Sequence, residues 1–281
     1  MNLPFQIDLA NKVAVVTGGS GVLGSVFSKA LAANGAKVAV LARNKEKIHH
    51  IVEEITDEGG EAVGFSADVL DKDALQQVKA QIHDQFGTVD ILINGAGGNN
   101  PRATADQEYF SEPVDKETKT FFNLEQHAVE DLFNLNFLGT LLPTQVFAED
   151  MIDKESCTII NISSMNAFKP LTKIPAYSGA KAAISNFTEW LSVHFSKVGI
   201  RVNAIAPGFF LTDQNRGMIL DEQGNYSDRA LKIISQTPMD RLGEAEELIG
   251  TLLWLVDEGS SSFVNGIVVP VDGGFSAYSG V

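Results

Sequence analysis

A serine, a tyrosine and a lysine are spaced in this sequence so that they could transfer a proton. Tyr177 and Lys181 are four residues apart in an alanine-rich segment typical of a helix, and this spacing places both side chains on one helix face. Ser164 follows the apolar run 158–162, which predicts a buried strand. A phenol ordinarily titrates near ~10, and a neighbouring ammonium would lower that pKa. The serine hydroxyl could hydrogen-bond a substrate oxygen as charge develops on it.

A Tyr-x-x-x-Lys pair alone also occurs in ordinary helices, so the elements around it matter. The first of these is a βαβ unit, with a strand at 12–16, an amphipathic helix around 26–31 and a second strand at 36–41. Its first turn carries Gly19-x-Gly21-x-x-Gly24. This arrangement holds the pyrophosphate of a dinucleotide on a helix N-terminus. The alternative is that the glycines only form a tight turn.

Apolar runs alternate with helical patterns along the rest of the chain. The predicted strands lie at 12–16, 36–41, 62–65, 89–93, 158–162, 200–205 and 267–271, and a long helix is predicted at 128–146. Repeated βα units of this length predict a parallel sheet with ligands at the carboxyl ends of its strands. The fold class is therefore α/β: residues 1–281 form one Rossmann-type domain, a doubly wound sheet of about seven strands with helices on both faces.

Composition excludes several classes of function. The formal net charge of −15 disfavours binding to nucleic acid or to an anionic membrane surface. The single cysteine, Cys157, permits no internal disulfide, and the five histidines show no metal-ligand spacing, so no metal is expected. The N-terminus lacks a signal-peptide pattern, and no apolar stretch reaches the roughly 20 residues of a membrane span. We expect a cytoplasmic protein.

The order of these motifs resembles the short-chain dehydrogenase/reductase family over nearly the whole chain. The matching positions are Thr17-Gly18, Asp68-Val69, Asn94, Ala96-Gly97, Asn136, Ser164, Tyr177, Lys181, Pro207-Gly208 and Thr212. The resemblance implies an NAD(P)-dependent oxidoreductase acting on CH–OH donors. Val22 and Gly95 depart from the family pattern, which usually has glycine and asparagine at these positions.

The resemblance also implies a role for each catalytic position. Tyr177 would be the acid/base, and Lys181 would lower its pKa and hold the nicotinamide ribose. Ser164 would orient the substrate oxygen, and Asn136 would hold a water of a proton relay. The glycine turn, the end of the second strand and the resemblance together give the expected cofactor contacts: Gly18, Gly19, Ser20, Gly21, Val22, Leu23, Gly24, Arg43, Asn44, Asp68, Val69, Asn94, Ala96, Gly97, Tyr177, Lys181, Pro207, Gly208, Phe210 and Thr212.

The end of the second strand bears on the choice of cofactor. Ala42 stands where NAD-preferring relatives tend to carry Asp, and Arg43 could pair with the 2′-phosphate of NADP. These residues favour NADP, with NAD as the alternative. Arg43 could instead be solvated or stack on the adenine of either cofactor.

Two segments are predicted to form the substrate site, a loop at 98–126 and a lid at 209–238. Stretches 18–24, 98–101, 208–216 and 271–276 are most similar to the D-mannonate oxidoreductase (fructuronate reductase) group of the family, which implies a sugar-acid substrate. The candidate substrate contacts are Asn99, Asn100, Arg102, Ser164, Asn166, Lys173 and Arg216. A solvated surface loop making oligomer contacts is the alternative for the 98–126 segment.

Other functions stay open at this point. A ketogluconate or a 3-oxoacyl thioester could be the substrate, or the chain could be a dinucleotide sensor without turnover. A sensor would not need the Ser164, Tyr177 and Lys181 set. The resemblance implies a homotetramer. The helix of Tyr177 also carries more apolar residues than one sheet-facing stripe needs, among them Phe187 and Trp190, and this surplus favours assembly.

Overall fold

A seven-stranded parallel sheet is the centre of the computed structural model, which describes residues 7–112, 114–152, 154–211, 219–220 and 223–280. The strand order is β3-β2-β1-β4-β5-β6-β9, and a separate pair is formed by β7 and β8. The strands are β1 (Val13–Thr17), β2 (Lys37–Ala42), β3 (Glu61–Ser66), β4 (Ile91–Asn94), β5 (Cys157–Ile162), β6 (Ile200–Pro207), β7 (Phe210–Leu211), β8 (Gly243–Glu244) and β9 (Val268–Val271). The predicted Rossmann-type fold and its seven strands are confirmed.

Helices cover both faces of the sheet. They are α1 (Val22–Ala33), α2 (Lys45–Asp57), α3 (Lys72–Gln85), α4 (Gln126–Phe133), α5 (Gly139–Phe147), α6 (Pro175–His194), α7 (Asp228–Ser235), α8 (Ile249–Val256) and α9 (Glu258–Ser261). Successive residues of β1 point to opposite faces. Ala14 and Val16 belong to a buried cluster with residues of α1, α2 and α8, whereas Val13 and Val15 belong to one with residues of α3, α5 and α6. Burial on both faces explains why these strands are continuous apolar runs.

The order of the strands reverses between β1 and β4. Thr17 and Asn94, the last residues of these strands, are paired in register. The Thr17 hydroxyl oxygen accepts hydrogen bonds from the backbone N–H groups of Gly95 and Ala96, at 3.2 and 3.3 Å. The turns that follow β1 and β4 are therefore tied together at the point where an open α/β sheet binds its ligands.

The helix predicted at 128–146 is not continuous. α4 ends at Phe133, a π-helical turn covers Asn134–Leu138, and α5 begins at Gly139. The side chain of Asn136 donates to the carbonyl of Leu132 at 2.9 Å, the group that its own backbone N–H would use in an α-helix. The prediction of one regular helix is wrong because this side chain competes for the carbonyl and the turn widens.

Among the helices that the structure describes, none combines the length and the apolar character that crossing a membrane requires.

Candidate active site

The end of β5 and the start of α6 bring the predicted proton-transfer residues together. Ser164 follows β5 by two residues, and its hydroxyl oxygen accepts from the backbone N–H of Asn166 at 3.3 Å. Pro175 opens α6 at a position where a helix needs no N–H donor. One turn of α6 then separates Tyr177 from Lys181, whose Nζ lies 5.7 Å from the centre of the Tyr177 ring. Ser164 lies close enough to the Tyr177 side chain to influence the pKa of the phenol.

Lys181 is anchored to the sheet. Its ammonium is buried and donates to the backbone carbonyl of Ile162, the last residue of β5, at 2.8 Å. An ammonium has three donors. The bond to Ile162 uses one of them and fixes the direction of the side chain, so the others can serve a bound ligand.

Asn136 reaches the same place from the π-helical turn. Its amide donates to the carbonyl of Gly98 at 2.8 Å and accepts from the N–H of Gly98 at 3.2 Å. Gly97 passes so close that a Cβ there would lie 2.8 Å from Asn136 Oδ1 and 3.2 Å from Lys181 Nζ. Glycine at this position therefore lets the loop after β4 run between the two side chains.

Burial controls the protonation of the pair on α6. Burial raises the pKa of the Tyr177 phenol above its ordinary value, and the hydrogen bond from Ser164 opposes that rise. Burial also lowers the pKa of Lys181 to about 8. The expectation that the phenol pKa lies below its usual value is therefore wrong for the protein as described, because the loss of solvation outweighs the hydrogen bond from Ser164.

The glycine turn after β1 fits a dinucleotide. Gly18 has a φ of +65°, and a Cβ on Gly24 would lie 2.2 Å from the carbonyl oxygen of Gly18. The turn is therefore tight, and α1 packs directly on it. Gly21 precedes α1 without any side-chain cap, so the first backbone N–H groups of the helix can bind a pyrophosphate. Val22, which departs from the family pattern, is half-buried as the first residue of α1 and does not block the turn.

The ends of β2 and β3 form the predicted adenine side of the cofactor site. Arg43 is exposed, and its Nη1 lies 4.0 Å from the Asp68 carboxylate. Val69 is buried. The Asn44 side chain accepts from the N–H of Lys47 and caps α2. Asn44 was expected to contact the cofactor, but its side-chain oxygen is already used by the helix.

The other predicted cofactor residues differ in how far their side chains are accessible. The Asn94 side chain is fully buried and bonded within the protein, so its amide does not line an open cofactor path. Phe210 is buried in β7, against Gly243 of β8, and packs in the core. Gly208 donates its N–H to Val271 at 2.9 Å and stays at the carboxyl end of β6, where it was predicted. Thr212 lies outside the described residues.

The polar residues of the 98–126 loop mostly hold the loop together. Asn99 donates to Thr104, and Asn100 accepts from the backbone N–H of Arg102. The Arg102 guanidinium lies 3.3 Å from Glu125 and 3.8 Å from Asp131. Arg102 as a substrate contact stays a prediction, and two exposed carboxylates of the loop and α4 would compete with a substrate carboxylate for its guanidinium.

Two other predicted substrate residues remain available, and one cannot be placed. Asn166 is buried within the turn after Ser164, and its Oδ1 has no hydrogen-bond partner among the described residues. Lys173 is half-buried just before α6. Arg216 lies outside the described residues.

An aromatic wall beside the site was missed by the sequence reasoning. A cavity of about 370 Å³ lies between the 98–126 loop and the start of α6, and its lining includes Phe110, Phe121, Phe122 and Pro175. Phe110 and Phe122 meet edge to face at 5.5 Å. The pairs Tyr109-Phe110 and Phe121-Phe122 were the available signal, but the polar residues around them dominated the interpretation of the loop.

A glycine turn at the reversal of a parallel sheet, together with a half-buried tyrosine and a buried lysine on one helix, defines a class of protein. It is that of dinucleotide-dependent oxidoreductases, which transfer a hydride to or from the cofactor and a proton to or from the protein.

Comparisons with known proteins agree over the whole chain. A family model described as short chain dehydrogenase matches residues 12–223. A Haemophilus influenzae protein named uncharacterized oxidoreductase is 57% identical over 281 residues, covering 100% of this chain and 99% of that protein. A Gluconobacter oxydans protein named gluconate 5-dehydrogenase is 32% identical over 276 residues, covering 98% and 99%. A crystal structure from Haemophilus influenzae, called "a putative D-Mannonate oxidoreductase" and containing NAD, has a TM-score of 0.96 and 56% identity, with 100% of both chains covered.

This chain belongs to the short-chain dehydrogenase family. It is an NAD(P)-dependent oxidoreductase that acts on CH–OH donors.

Proposed function

We propose that this enzyme transfers hydride between a nicotinamide cofactor and a sugar acid, interconverting D-mannonate and D-fructuronate. The observation that carries the proposal is the full-length similarity to the Haemophilus structure described above. The sugar-acid relative from Gluconobacter supports the same substrate class at lower identity.

The Tyr177 hydroxyl is the proton donor in the reducing direction. Its raised pKa keeps the phenol protonated at neutral pH, so it can give its proton to the carbonyl oxygen that becomes the alcohol. The bound nicotinamide supplies the hydride to the carbonyl carbon. In the oxidising direction, the same oxygen takes the alcohol proton back.

Three neighbours support this transfer. Ser164, which lies beside the Tyr177 side chain, turns its single proton to the substrate oxygen when substrate binds and so fixes the distance of that oxygen from the phenol. Lys181 holds the nicotinamide ribose with the N–H donors that Ile162 does not use. Asn136 fixes the loop at Gly98 and holds the relay water that returns a proton to the site.

The same enzyme, we propose, prefers NAD. The Haemophilus structure contains NAD. Arg43, the residue that favoured NADP on sequence grounds, faces the Asp68 carboxylate, which would repel a 2′-phosphate bound beside it. Arg43 would attract the 2′-phosphate of NADP and Asp68 would repel it, and the NAD bound in the relative supports the proposal that NAD is preferred here.

A polyhydroxy substrate suits the unpartnered acceptor beside Ser164. Asn166 Oδ1 is buried two residues after Ser164, and a buried acceptor without a donor is unfavourable. A hydroxyl of the sugar acid would satisfy it. Lys173, half-buried just before α6, and Arg216 are the candidates for binding the carboxylate.

A second candidate function is reduction of a carbonyl with an apolar tail, such as a 3-oxoacyl thioester. The aromatic cavity favours it, since Phe110, Phe121 and Phe122 would provide apolar walls for such a tail.

The deciding experiment measures NADH and NADPH oxidation with fructuronate, ketogluconates and acyl thioesters, and the reverse reaction with mannonate. We expect fructuronate with NADH to give the highest kcat/KM, and Tyr177→Phe to lower kcat by about 10²–10⁴-fold while still binding NADH. Turnover of an acyl thioester but not of fructuronate or mannonate would reject the sugar-acid assignment. A Tyr177→Phe enzyme with wild-type kcat would reject the catalytic role of the phenol.

A further inference from the structure

Four buried polar side chains connect the two helices that carry the candidate active site. They form a chain of hydrogen bonds that we call the polar bridge, and its members are Thr144 of α5, Asn94 of β4, Asn161 of β5 and Thr188 of α6. Each member is at most 2% exposed.

The bridge crosses the sheet between two strand residues that lie side by side. Asn94 and Asn161 are partners in the register of β4 and β5, and Asn94 Nδ2 donates to Asn161 Oδ1 at 2.9 Å. Asn94 Nδ2 also donates to Thr144 Oγ1, and Asn161 Nδ2 donates to Thr188 Oγ1, both at 2.9 Å. The strand positions two residues earlier, Leu92 and Ile159, belong to the apolar core.

The direction of every bond in the bridge is fixed. A threonine hydroxyl has a single proton. Thr144 gives its proton to the carbonyl of Thr140, and Thr188 gives its own to the carbonyl of Ile184, each at 2.8 Å. Both hydroxyls can therefore only accept from the asparagines, so each amide has one permitted orientation. Asn94 Oδ1 already lacks a hydrogen-bond partner among the described residues. A displaced helix would also unmatch the donors and acceptors that are now paired, which is costly.

Each end of the bridge lies on the helix face that carries an active-site residue. Thr188 is seven residues, two helical turns, after Lys181, and Ile184 lies between them on the same face. On the other side, Thr140 donates to the carbonyl of Asn136 at 2.9 Å. The bridge thus fixes the spacing between the α6 face that holds Lys181 and the π-helical turn that holds Asn136.

We propose that the polar bridge positions Tyr177 and Lys181 against Asn136, and that Thr188 and Thr144 are positioning residues of the reaction. An apolar core would hold the helices with less directional control, since hydrophobic contact is not directional. The bridge instead permits one spacing, and a small error in the placement of reacting groups lowers a rate strongly. The inference rests on the proposed catalytic role of Tyr177 and not on the sugar-acid assignment.

The test uses isosteric substitutions in the full chain. Thr188→Val and Thr144→Val remove the hydroxyl and keep the shape, whereas Thr188→Ser keeps the hydroxyl. Thr158→Val is the matched control. Thr158 is buried on β5 like Asn161 but lies outside the bridge, and its hydroxyl bonds the carbonyl of Arg201. Urea unfolding of all four variants measures what each substitution costs in stability.

Two readouts separate positioning from stability. The first is kcat with the carbonyl compound that the wild type reduces fastest, together with the Kd for NADH from fluorescence. The second needs no substrate and is the pH titration of the Tyr177 phenol, measured as the ultraviolet difference between each protein and its Tyr177→Phe counterpart.

We expect both valine variants in the bridge to lower kcat about tenfold or more, with the Kd for NADH within about twofold. The Tyr177 midpoint should fall towards its ordinary value, because a loosened α6 admits water to the phenol. Thr188→Ser should behave as wild type, and Thr158→Val should lose stability without a change in kcat or in the midpoint.

The proposal is wrong if Thr188→Val and Thr144→Val keep wild-type kcat and an unchanged Tyr177 midpoint, or if Thr158→Val lowers kcat equally. If one valine variant does not fold, the other decides. If the wild type turns over no compound, the proposed catalytic role of Tyr177 fails, but the proposal about the polar bridge can still be tested. The pH titration of the Tyr177 phenol then decides alone whether the bridge positions it.

Discussion

Burial drives Tyr177 and Lys181 towards their neutral forms, because it raises the pKa of the phenol and lowers that of the ammonium to about 8. The phenol is therefore held as a proton donor at neutral pH. The sequence indicated which residues meet but gave the wrong direction for the phenol pKa, since the desolvation of a side chain depends on the packing around it and not on its spacing from a lysine.

The titration of Lys181 makes stability depend on pH. Its pKa falls from 10.5 to about 8 on folding, so between these values the unfolded chain binds more protons, and stability rises with pH. Lys181→Met removes this contribution. The stability of the variant relative to the wild type should therefore fall by up to about 3 kcal/mol between pH 7 and pH 10, in addition to a pH-independent cost for the lost hydrogen bond to Ile162.

Urea unfolding at pH 7 and pH 9.5 measures this difference, with exposed Lys45→Met as the control. A stability difference that is the same at both pH values would show that burial does not shift the Lys181 pKa.

Arg43 lies close enough to Asp68 to form an ion pair at the end of β2. If NADPH binds, its 2′-phosphate would compete with Asp68 for the guanidinium. Arg43→Ala should therefore raise KM for NADPH about tenfold, the equivalent of a lost charged hydrogen bond, and leave KM for NADH nearly unchanged. Steady-state kinetics with both cofactors check this, with Lys45→Ala as the control. An equal loss for both cofactors would indicate that Arg43 stacks on adenine instead.

At the scale of elements, the sheet could be predicted because strands buried on both faces appear as continuous apolar runs. Each of the seven predicted runs overlaps a strand of the sheet. The π-helical turn could not be predicted, because it arises from the contacts of Asn136 with Gly98, 38 residues away. The aromatic cavity was missed for a related reason, since its rings are separated in the sequence and meet only in the folded loop.

The π-helical turn and the 98–126 loop should respond together to one substitution. Asn136→Ala removes two hydrogen bonds to Gly98 and one to Leu132. We expect kcat to fall about 10–100-fold, and faster hydrogen exchange or proteolysis at the start of the loop. Exposed Asn134→Ala in the same turn is the control. A loop that stays equally protected in Asn136→Ala would show that the side chain does not anchor it.

The loop and the predicted lid also meet each other. Lys232 of α7 contacts both carboxylate oxygens of Glu108 at 2.6 Å. An exposed ion pair contributes little stability on its own. This ion pair joins two segments whose paired residues are 124 positions apart in the sequence, which supports the prediction that the 98–126 loop and the 209–238 lid form the substrate site together.

At the scale of the whole molecule, the surface combines a large negative charge with an apolar stripe. The net charge is −15, which favours separation of the subunits by repulsion. On α6, however, Trp190 is 56% exposed and Val193 is 75% exposed. Phe187 stacks on Trp190 at 6.3 Å and extends the stripe towards Phe137, at the end of the π-helical turn. A stripe of this kind on an isolated chain favours association.

We predict that the chain is a homotetramer and that the α6 stripe forms one of its interfaces. Trp190→Glu and Val193→Glu together should lower the mass of the assembly, because each places a charge in a desolvated contact. Sedimentation at micromolar concentration with 0.15 M salt checks this, since salt at that level screens the net charge over about 8 Å. Ile152→Glu, at an apolar position that is 46% exposed and outside the stripe, is the control. A wild-type monomer, or a double variant with the wild-type mass, would contradict the assignment of this face.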